Sequence, residues 1–346
     1  MKSHRLCYIS RNYRGVEGSG NKAKTDNEDT LQAMGACNLG LRRTLYDNKV
    51  ITFFLDLAGI ISYCFRVRKG DVILLQYPVK KYFSFICNVA RAKGARTVAL
   101  IHDLGAMRRK RLTEQQEIKR LMHADYVIAS NSVMAQWLKD KGYANKLGAL
   151  GFFDYRSATT SSEKSSSDVC RVVYAGALAM RKNAFILQMP YTIGGWQMHI
   201  YGNKSGLPQL KTSENIIFHN FVPADTFIKE ADADFGLVWD GDSLSSCTGS
   251  FGEYLRWNSP HKVSFYIRAG LPIIIWREAA LASLVEQEGI GICVDSINEL
   301  NDILPKITKE QMEDMRRNVE RVSRQLADGH YLRTSLTKAV HEITGQ

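Results

Sequence analysis

One stretch constrains this chain more tightly than any other: residues 235–276, which read FGLVWDGDSLSSCTGSFGEYLRWNSPHKVSFYIRAGLPIIIW. An apolar run at 235–239 stops at Asp240, Gly241 and Asp242, and a polar loop follows. Pro260, His261 and Lys262 then open an amphipathic helix that stops at Gly270, and a second apolar run, 271–276, comes at once. Strand, helix and strand in this order form a βαβ unit, whose strands pair in parallel because the crossover returns the chain to the same end of the sheet. In such sheets ligands gather beyond the carboxyl ends of strands and at helix N-termini, where backbone N–H groups and the helix dipole favour an anion. Lys262 stands at that helix start, so a phosphate is the natural guest; a solvated surface lysine is the equal alternative on this evidence alone.

The same alternation fills the chain. Before residue 157, strands are predicted at 6–10, 71–77, 96–102 and 123–131, with helices at 28–45, 83–94, 114–122 and 132–141. The run 157–168, SATTSSEKSSSD, cannot bury anything and reads as a linker. Strands then resume at 171–174, 198–201 and 215–218, and again within 235–276 and at 291–294, and helical patterns fill the remainder. The fold class is therefore α/β, with two doubly wound Rossmann-like domains facing a cleft. The expected divisions are 1–156, a linker at 157–169, a second domain at 170–320, and a closing helix at 321–346 that packs back on the first domain.

Two segments of the first domain leave alternatives open. Residues 12–27 are polar and contain Gly15, Gly18 and Gly20 but no G-x-G-x-x-G fingerprint; they read as a mobile loop over the cleft, with Glu17 its most notable side chain. Residues 50–65 are apolar but interrupted by Asp56 and Gly59, and are too short to cross a bilayer comfortably. A core helix is the favoured reading. A helix lying on a membrane is the alternative, because Arg66, Arg68 and Lys69 follow directly.

Charge narrows the partners. The chain carries +11 overall, but residues 1–150 hold 26 Lys and Arg against 12 Asp and Glu, so the first domain is strongly basic and the rest slightly acidic. The densest run, Arg108, Arg109, Lys110 and Arg111, has no interleaved aromatics and sits in no nucleic-acid motif. An anionic membrane surface or a phosphate-bearing lipid fits better than RNA, and a merely solvated loop fits as well. The sequence has no run of about 18 apolar residues and no signal-peptide pattern, so the expected location is the cytoplasm, with peripheral contact at the inner face of the membrane. The seven scattered cysteines, with no Cys-x-x-Cys pair, read as reduced core residues. Homo-oligomerisation is left open.

Particular stretches carry a family resemblance. His123-Ala-Asp with Val127-Ile-Ala, Tyr174-Ala-Gly-Ala-Leu with Arg181 and Lys182, Ile200-Tyr-Gly, Phe221-Val-Pro and Ala269-Gly-Leu-Pro-Ile-Ile are similar to successive elements of the GT-B glycosyltransferases. FGLVWDG, GEYLRWNSPHK and GLPIIIW more closely resemble a bacterial branch that contains β-1,6-galactofuranosyltransferases and the streptococcal glucosyltransferases that extend N-acetylglucosamine on serine-rich adhesins. The paired-glutamate donor signature of commoner members is absent; Glu253 and Pro260-His261-Lys262 occupy that region.

The resemblance implies a UDP-sugar donor, no metal and no cofactor, and a saccharide acceptor that could be lipid-linked. A nucleoside diphosphate leaving group gains negative charge as the glycosidic bond breaks, and without a metal that charge must meet fixed cations and backbone N–H groups. The donor-side candidates are Gly176, Arg181, Lys182, Tyr201, Val222, Asp240, Glu253, His261 and Lys262. Arg181, Lys182 and Lys262 supply charge, Gly176 close backbone approach, Val222 and Tyr201 the base contacts, and Glu253 an acceptor for ribose hydroxyls. Asp240 either positions sugar hydroxyls or shapes its turn. For the base that deprotonates the acceptor, Asp103 comes first and Glu17 second, with His102 beside Asp103 at the end of a strand. Galactofuranose is the preferred donor sugar. The competing readings are a glucosyltransferase acting on N-acetylglucosamine-modified protein, a silent nucleotide-sugar-binding subunit, and an epimerase or phosphorylase on the same scaffold.

Overall fold

The computed structural model describes residues 4–14, 19–79, 82–108, 112–165 and 167–345. The chain forms two compact units, Met1–Asp154 with Asp328–Gln346, and Tyr155–Ala327. Each is built on its own six-stranded parallel sheet.

In unit 1 the strands are β1 (Leu6–Tyr8), β2 (Cys37–Asn38), β3 (Val72–Tyr77), β4 (Arg96–Ile101), β5 (Tyr126–Ala129) and β6 (Lys146–Ala149), in the order β2-β1-β3-β4-β5-β6. In unit 2 they are β7 (Cys170–Ala175), β8 (Trp196–Tyr201), β9 (Ile216–His219), β10 (Phe235–Val238), β11 (Ile273–Trp276) and β12 (Gly291–Val294), in the order β12-β11-β10-β7-β8-β9. The near-continuous apolar runs are what a sheet covered on both faces demands. All four residues of β5 and of β11 are buried. Each fully buried isoleucine of β11 contributes roughly 1.5–3 kcal/mol relative to exposure.

The strand orders place the ligand-binding edges. In unit 2 the chain winds outward from β7 through β8 to β9, then returns to the other side of β7 with β10. The switch point therefore lies between β7 and β10, where the loops beyond adjacent strands diverge and open a crevice. In unit 1 the corresponding reversal lies between β1 and β3.

Several boundaries differ from the sequence expectation. The first long helix is Ser19–Ala33 and not 28–45. Its inward face carries Asp26, Asn27, Glu28 and Thr30, all buried, so hydropathy periodicity could not reveal it. Residues 19–27 of the expected mobile loop are thus helical, while Gly15, Glu17 and Gly18 lie outside the described residues. The expected linker 157–169 is tied down along unit 2: Ser157 Oγ donates to Asp225 (2.7 Å), Lys164 Nζ to the Ala231 carbonyl (2.6 Å) and the Ser165 N–H to Asp232 (2.9 Å). Its polar residues satisfy hydrogen bonds and do not mark a free tether. At the C-terminus the chain passes back to unit 1 at residue 328, later than the expected 320. Helix His330–Thr344 sets Leu332, Leu336 and Ala339 into the unit 1 core, and the buried Asp154 carboxylate accepts from the N–H groups of Tyr331 (3.1 Å) and Leu332 (2.8 Å) at its first turn.

The polar interior of unit 1 centres on Glu28, which accepts from Tyr13 Oη (2.5 Å) and Ser10 Oγ (2.8 Å). Burial raises its carboxyl to about 7, and these two hydrogen bonds only partly offset that cost. The folded state therefore holds this proton more tightly than the unfolded chain. The resulting stability is fully present below about pH 4.5 and is lost as pH rises to about 7. A shift of this size corresponds to roughly 3 kcal/mol. Urea titrations from pH 4.5 to 8 should show a decline in the wild type that Glu28→Gln lacks; parallel pH profiles would contradict the assignment.

Candidate functional site

The residues beyond β7 and β10 converge on one buried ring. Tyr174, near the end of β7, donates its hydroxyl to Asp240 Oδ1 (2.9 Å) and accepts from Asn183 Nδ2. The Lys262 ammonium lies over the ring, 3.4 Å from its centroid. Lys182 Nζ approaches Asp240 Oδ2 at 3.6 Å. Both lysines lie in the field of the Asp240 carboxylate. Burial drives the Lys262 amine well below the ordinary lysine range, Lys182 pushes it further down, and Asp240 opposes both.

The backbone around this cluster is held open by close packing below it. Gly176 is exposed, with φ +138°, a conformation L side chains avoid, and any side chain there would approach Lys262 Cε. Just before it, the Ala175 N–H donates to Tyr266 Oη at 2.8 Å. Tyr266 reaches that position because β10 carries Gly236 opposite the ring, where any side chain would collide with it. Pro260 precedes helix His261–Arg268 and Gly270 (φ +74°) follows it, which aims Lys262 back toward the strand ends.

The structure therefore brings Gly176, Lys182, Asp240 and Lys262 together. Arg181, exposed on the short helix Met180–Asn183, lies over Phe251 at 5.2 Å. The other sequence candidates have different surroundings. Glu253 is exposed and paired with Arg256 at 3.0 Å. His261 stacks on Tyr155 at 4.8 Å. Tyr201 already carries His219 on one face at 4.2 Å, with Phe227 edge-on at 5.1 Å. Val222 is half-buried beyond β9, beside Phe221, which is 59% exposed. Asp242 accepts from Thr248 Oγ1 across the turn.

Unit 1 has a cavity of about 510 Å³ at its own switch point. Asp103, half-buried beyond β4, lines it together with Tyr13, Gln76 and Glu117. Glu117 is buried, accepting from the Tyr77 hydroxyl and the Ala106 N–H (2.6 Å). His102 faces elsewhere: its Nε2 meets Gln76 Oε1 at 3.0 Å and its ring stacks on Phe153 at 4.8 Å. The second base candidate, Glu17, lies outside the described residues, as do Arg109, Lys110 and Arg111 of the basic run.

Sequence reasoning missed Tyr174, Tyr266 and Gly236, whose roles exist only once β7 and β10 are neighbours, and Asn183, which bonds Tyr174 from the segment just after β7. It also missed Glu28 and Glu117, buried acids inside otherwise polar helices.

The glucosyltransferase 3-like N-terminal domain model matches residues 6–152, and the C-terminal domain model matches residues 172–339. The β-1,6-galactofuranosyltransferase WbbI of Escherichia coli (strain K12) is 31% identical over 298 residues, covering 85% of this chain and 86% of that protein. Glucosyltransferase 3 of Streptococcus gordonii is 32% identical over 108 residues, 31% of each chain. The apo structure of the lipopolysaccharide outer core galactosyltransferase WaaB matches with a TM-score of 0.62 at 13% identity, covering 97% of this chain and 99% of that one. That likeness shows the GT-B architecture of two doubly wound sheets.

The Tyr266 support is open to test. Tyr266→Phe leaves the buried Ala175 N–H without its partner and should cost about 1–3 kcal/mol in chemical denaturation. Unchanged stability would show that the hydroxyl does not hold the Gly176 loop.

Proposed function

The chain belongs to the glucosyltransferase 3-like family and is a glycosyltransferase, and on that premise we propose that it moves galactofuranose from a UDP-sugar to a saccharide acceptor in surface-polysaccharide or glycoprotein synthesis. The observation that carries the donor half is Lys262 Nζ over Tyr174, in the field of both Lys182 and Asp240, which approach each other at 3.6 Å. Such a cluster is short of negative charge. A diphosphate entering it supplies that charge, favours the protonated form of Lys262, and meets Gly176, which is exposed although its N–H is held by the Tyr201 carbonyl (3.1 Å). As the sugar departs, the same cations stabilise the growing charge on the leaving phosphate without moving, so no metal is needed.

We assign the acceptor base to Asp103, which lines the unit 1 cavity beyond β4. The sugar bond breaks toward UDP, the acceptor oxygen takes the anomeric carbon, and its proton passes to this carboxylate. The likeness to a galactofuranosyltransferase over most of the chain supports that sugar. The glucosyltransferase 3 relatives make UDP-glucose the donor to compare with it. We further propose that the acceptor is carried on a membrane lipid, which suits the basic charge of the first unit.

Thermal-shift measurements test the donor site, because a ligand that binds only the folded state raises the melting temperature. UDP should raise it equally with and without EDTA. Lys262→Met should weaken UDP binding roughly 10- to 100-fold, the loss of one charge-assisted contact. Asp103→Asn should keep the UDP shift while transfer from UDP-galactofuranose falls by at least about 100-fold. Full UDP affinity in Lys262→Met would overturn the donor assignment, and normal turnover in Asp103→Asn the base assignment. Faster transfer from UDP-glucose would replace the sugar and leave the site intact.

A further inference from the structure

Helix Lys49–Arg66 has two apolar faces, of which unit 1 uses one. Asn48 caps its start, accepting from the N–H groups of Val50 (2.8 Å) and Ile51 (3.2 Å). The inner face is fixed: Asp56 pairs with Arg11, Ser62 Oγ donates to the Leu39 carbonyl (3.0 Å), Tyr63 Oη donates to the Ile86 carbonyl (2.8 Å), and Gly59 and Ile60 are buried. The outer face carries Val50, Phe54, Ile61 and Phe65, exposed by 63%, 62%, 51% and 83%. These positions follow helical spacing and make one stripe along about four turns, widened by Phe53 and Ile51. A stripe of this kind is uncommon on a surface that meets only water.

The surroundings of the stripe identify its partner. Arg42 and Lys49 at one end and Arg66, Arg68 and Lys69 at the other are exposed, with Asp47 the exposed acid among residues 42–69. Two copies of this face would bring like charges together within a chain segment already rich in lysine and arginine. An anionic lipid surface complements both the stripe and its basic ends. The helix cannot insert across a bilayer, since its inner face is bonded to unit 1, and no helix among the described residues is long and apolar enough to span one. It lies along the surface instead.

The inner face also lines the cavity: Thr52, Asp56 and Ile60 form part of the same wall that includes Asp103. We propose that helix Lys49–Arg66 is an interfacial docking element that lays unit 1 on an anionic bilayer, so that the cavity directly behind it receives the head of a lipid-borne acceptor. The docking surface stands on the helix alone; the cavity's occupant rests on the proposed transferase reading.

Flotation of the full chain with phosphatidylcholine vesicles, with and without phosphatidylglycerol, tests the proposal. The wild type should float with the phosphatidylglycerol vesicles and much less with the neutral ones, and added salt should weaken binding. The double substitution Phe54→Ser and Phe65→Ser, both on exposed side chains, should reduce binding by at least about tenfold. Its melting temperature and UDP shift should match the wild type. Failure of the wild type to float would overturn the proposal, as would equal flotation of the double variant. A dimer in light scattering that the double substitution splits, without vesicle binding, would assign the stripe to a second copy. The UDP shift separates this from the donor reading: its presence in a protein that does not float sinks the docking surface alone, and its absence from a protein that floats sinks the donor site alone.

Discussion

Unit 2 places one ammonium group, Lys262 Nζ, against the face of a buried tyrosine, and the chemistry assigned to that unit depends on this contact. A lysine so placed loses much of its hydration. The Tyr174 ring returns part of that loss through cation–π attraction, and Asp240 returns more, but Lys182 draws on the same carboxylate. The position survives because everything around it is fixed by the sheet. Tyr174 is on β7, Asp240 follows β10, and these strands are neighbours only because the winding reverses between them. Gly236 admits Tyr266, Tyr266 holds Ala175, and Ala175 leads into the exposed Gly176, whose φ of +138° would strain an L side chain and whose N–H is held by the Tyr201 carbonyl.

Unit 1 solves a different problem on the same scaffold. Its switch point opens onto a cavity bordered by acids, hydroxyls and the basic Arg11, Arg14, Lys24 and Arg120 among apolar residues, and its helices carry polar groups inward. Glu28 and Glu117 satisfy their carboxylates with hydroxyls and backbone N–H groups, which fixes the cavity wall at the expense of a buried charge. The helix whose inner side closes this wall turns an apolar stripe outward. One element thus joins the interior of the unit to its surface chemistry.

Strands were the most legible part of the sequence. Runs such as VILLQY and the three isoleucines of β11 are buried on both faces, and nothing competes with that reading. Ser19–Ala33 was illegible because only Ala23 and Leu31 of its buried residues are apolar, while Asp26, Asn27, Glu28 and Thr30 are buried through hydrogen bonds and break the periodicity. The segment 157–169 misled in the opposite sense, since serines that hydrogen-bond to a neighbouring surface look the same as serines in a free tether. In the site, Lys262 was readable from its place at a helix start and Gly176 and Lys182 from the family resemblance, and with Asp240 they do meet. Tyr174 and Tyr266 were not readable, because Asp240, Lys262 and Ala175, their partners, lie far off in sequence and become neighbours only through strand order, and Asn183 counts only through its bond to Tyr174. The pairing of Glu253 with Arg256, three residues apart on one turn, was available from spacing and argues for a local role beside any contact with ribose.

The most direct test of the central claim measures protons. If Lys262 is held at a depressed pKa by burial and meets a diphosphate on binding, UDP must bring a proton with it once pH exceeds that pKa. Calorimetric titration of UDP between pH 7 and 10, in buffers of different ionisation enthalpy, reads that uptake directly. The account predicts proton uptake on UDP binding above the depressed Lys262 pKa, an affinity that weakens as pH rises, and no such uptake in Lys262→Met. Binding without proton uptake across the whole range, or the same uptake in the variant, would contradict it.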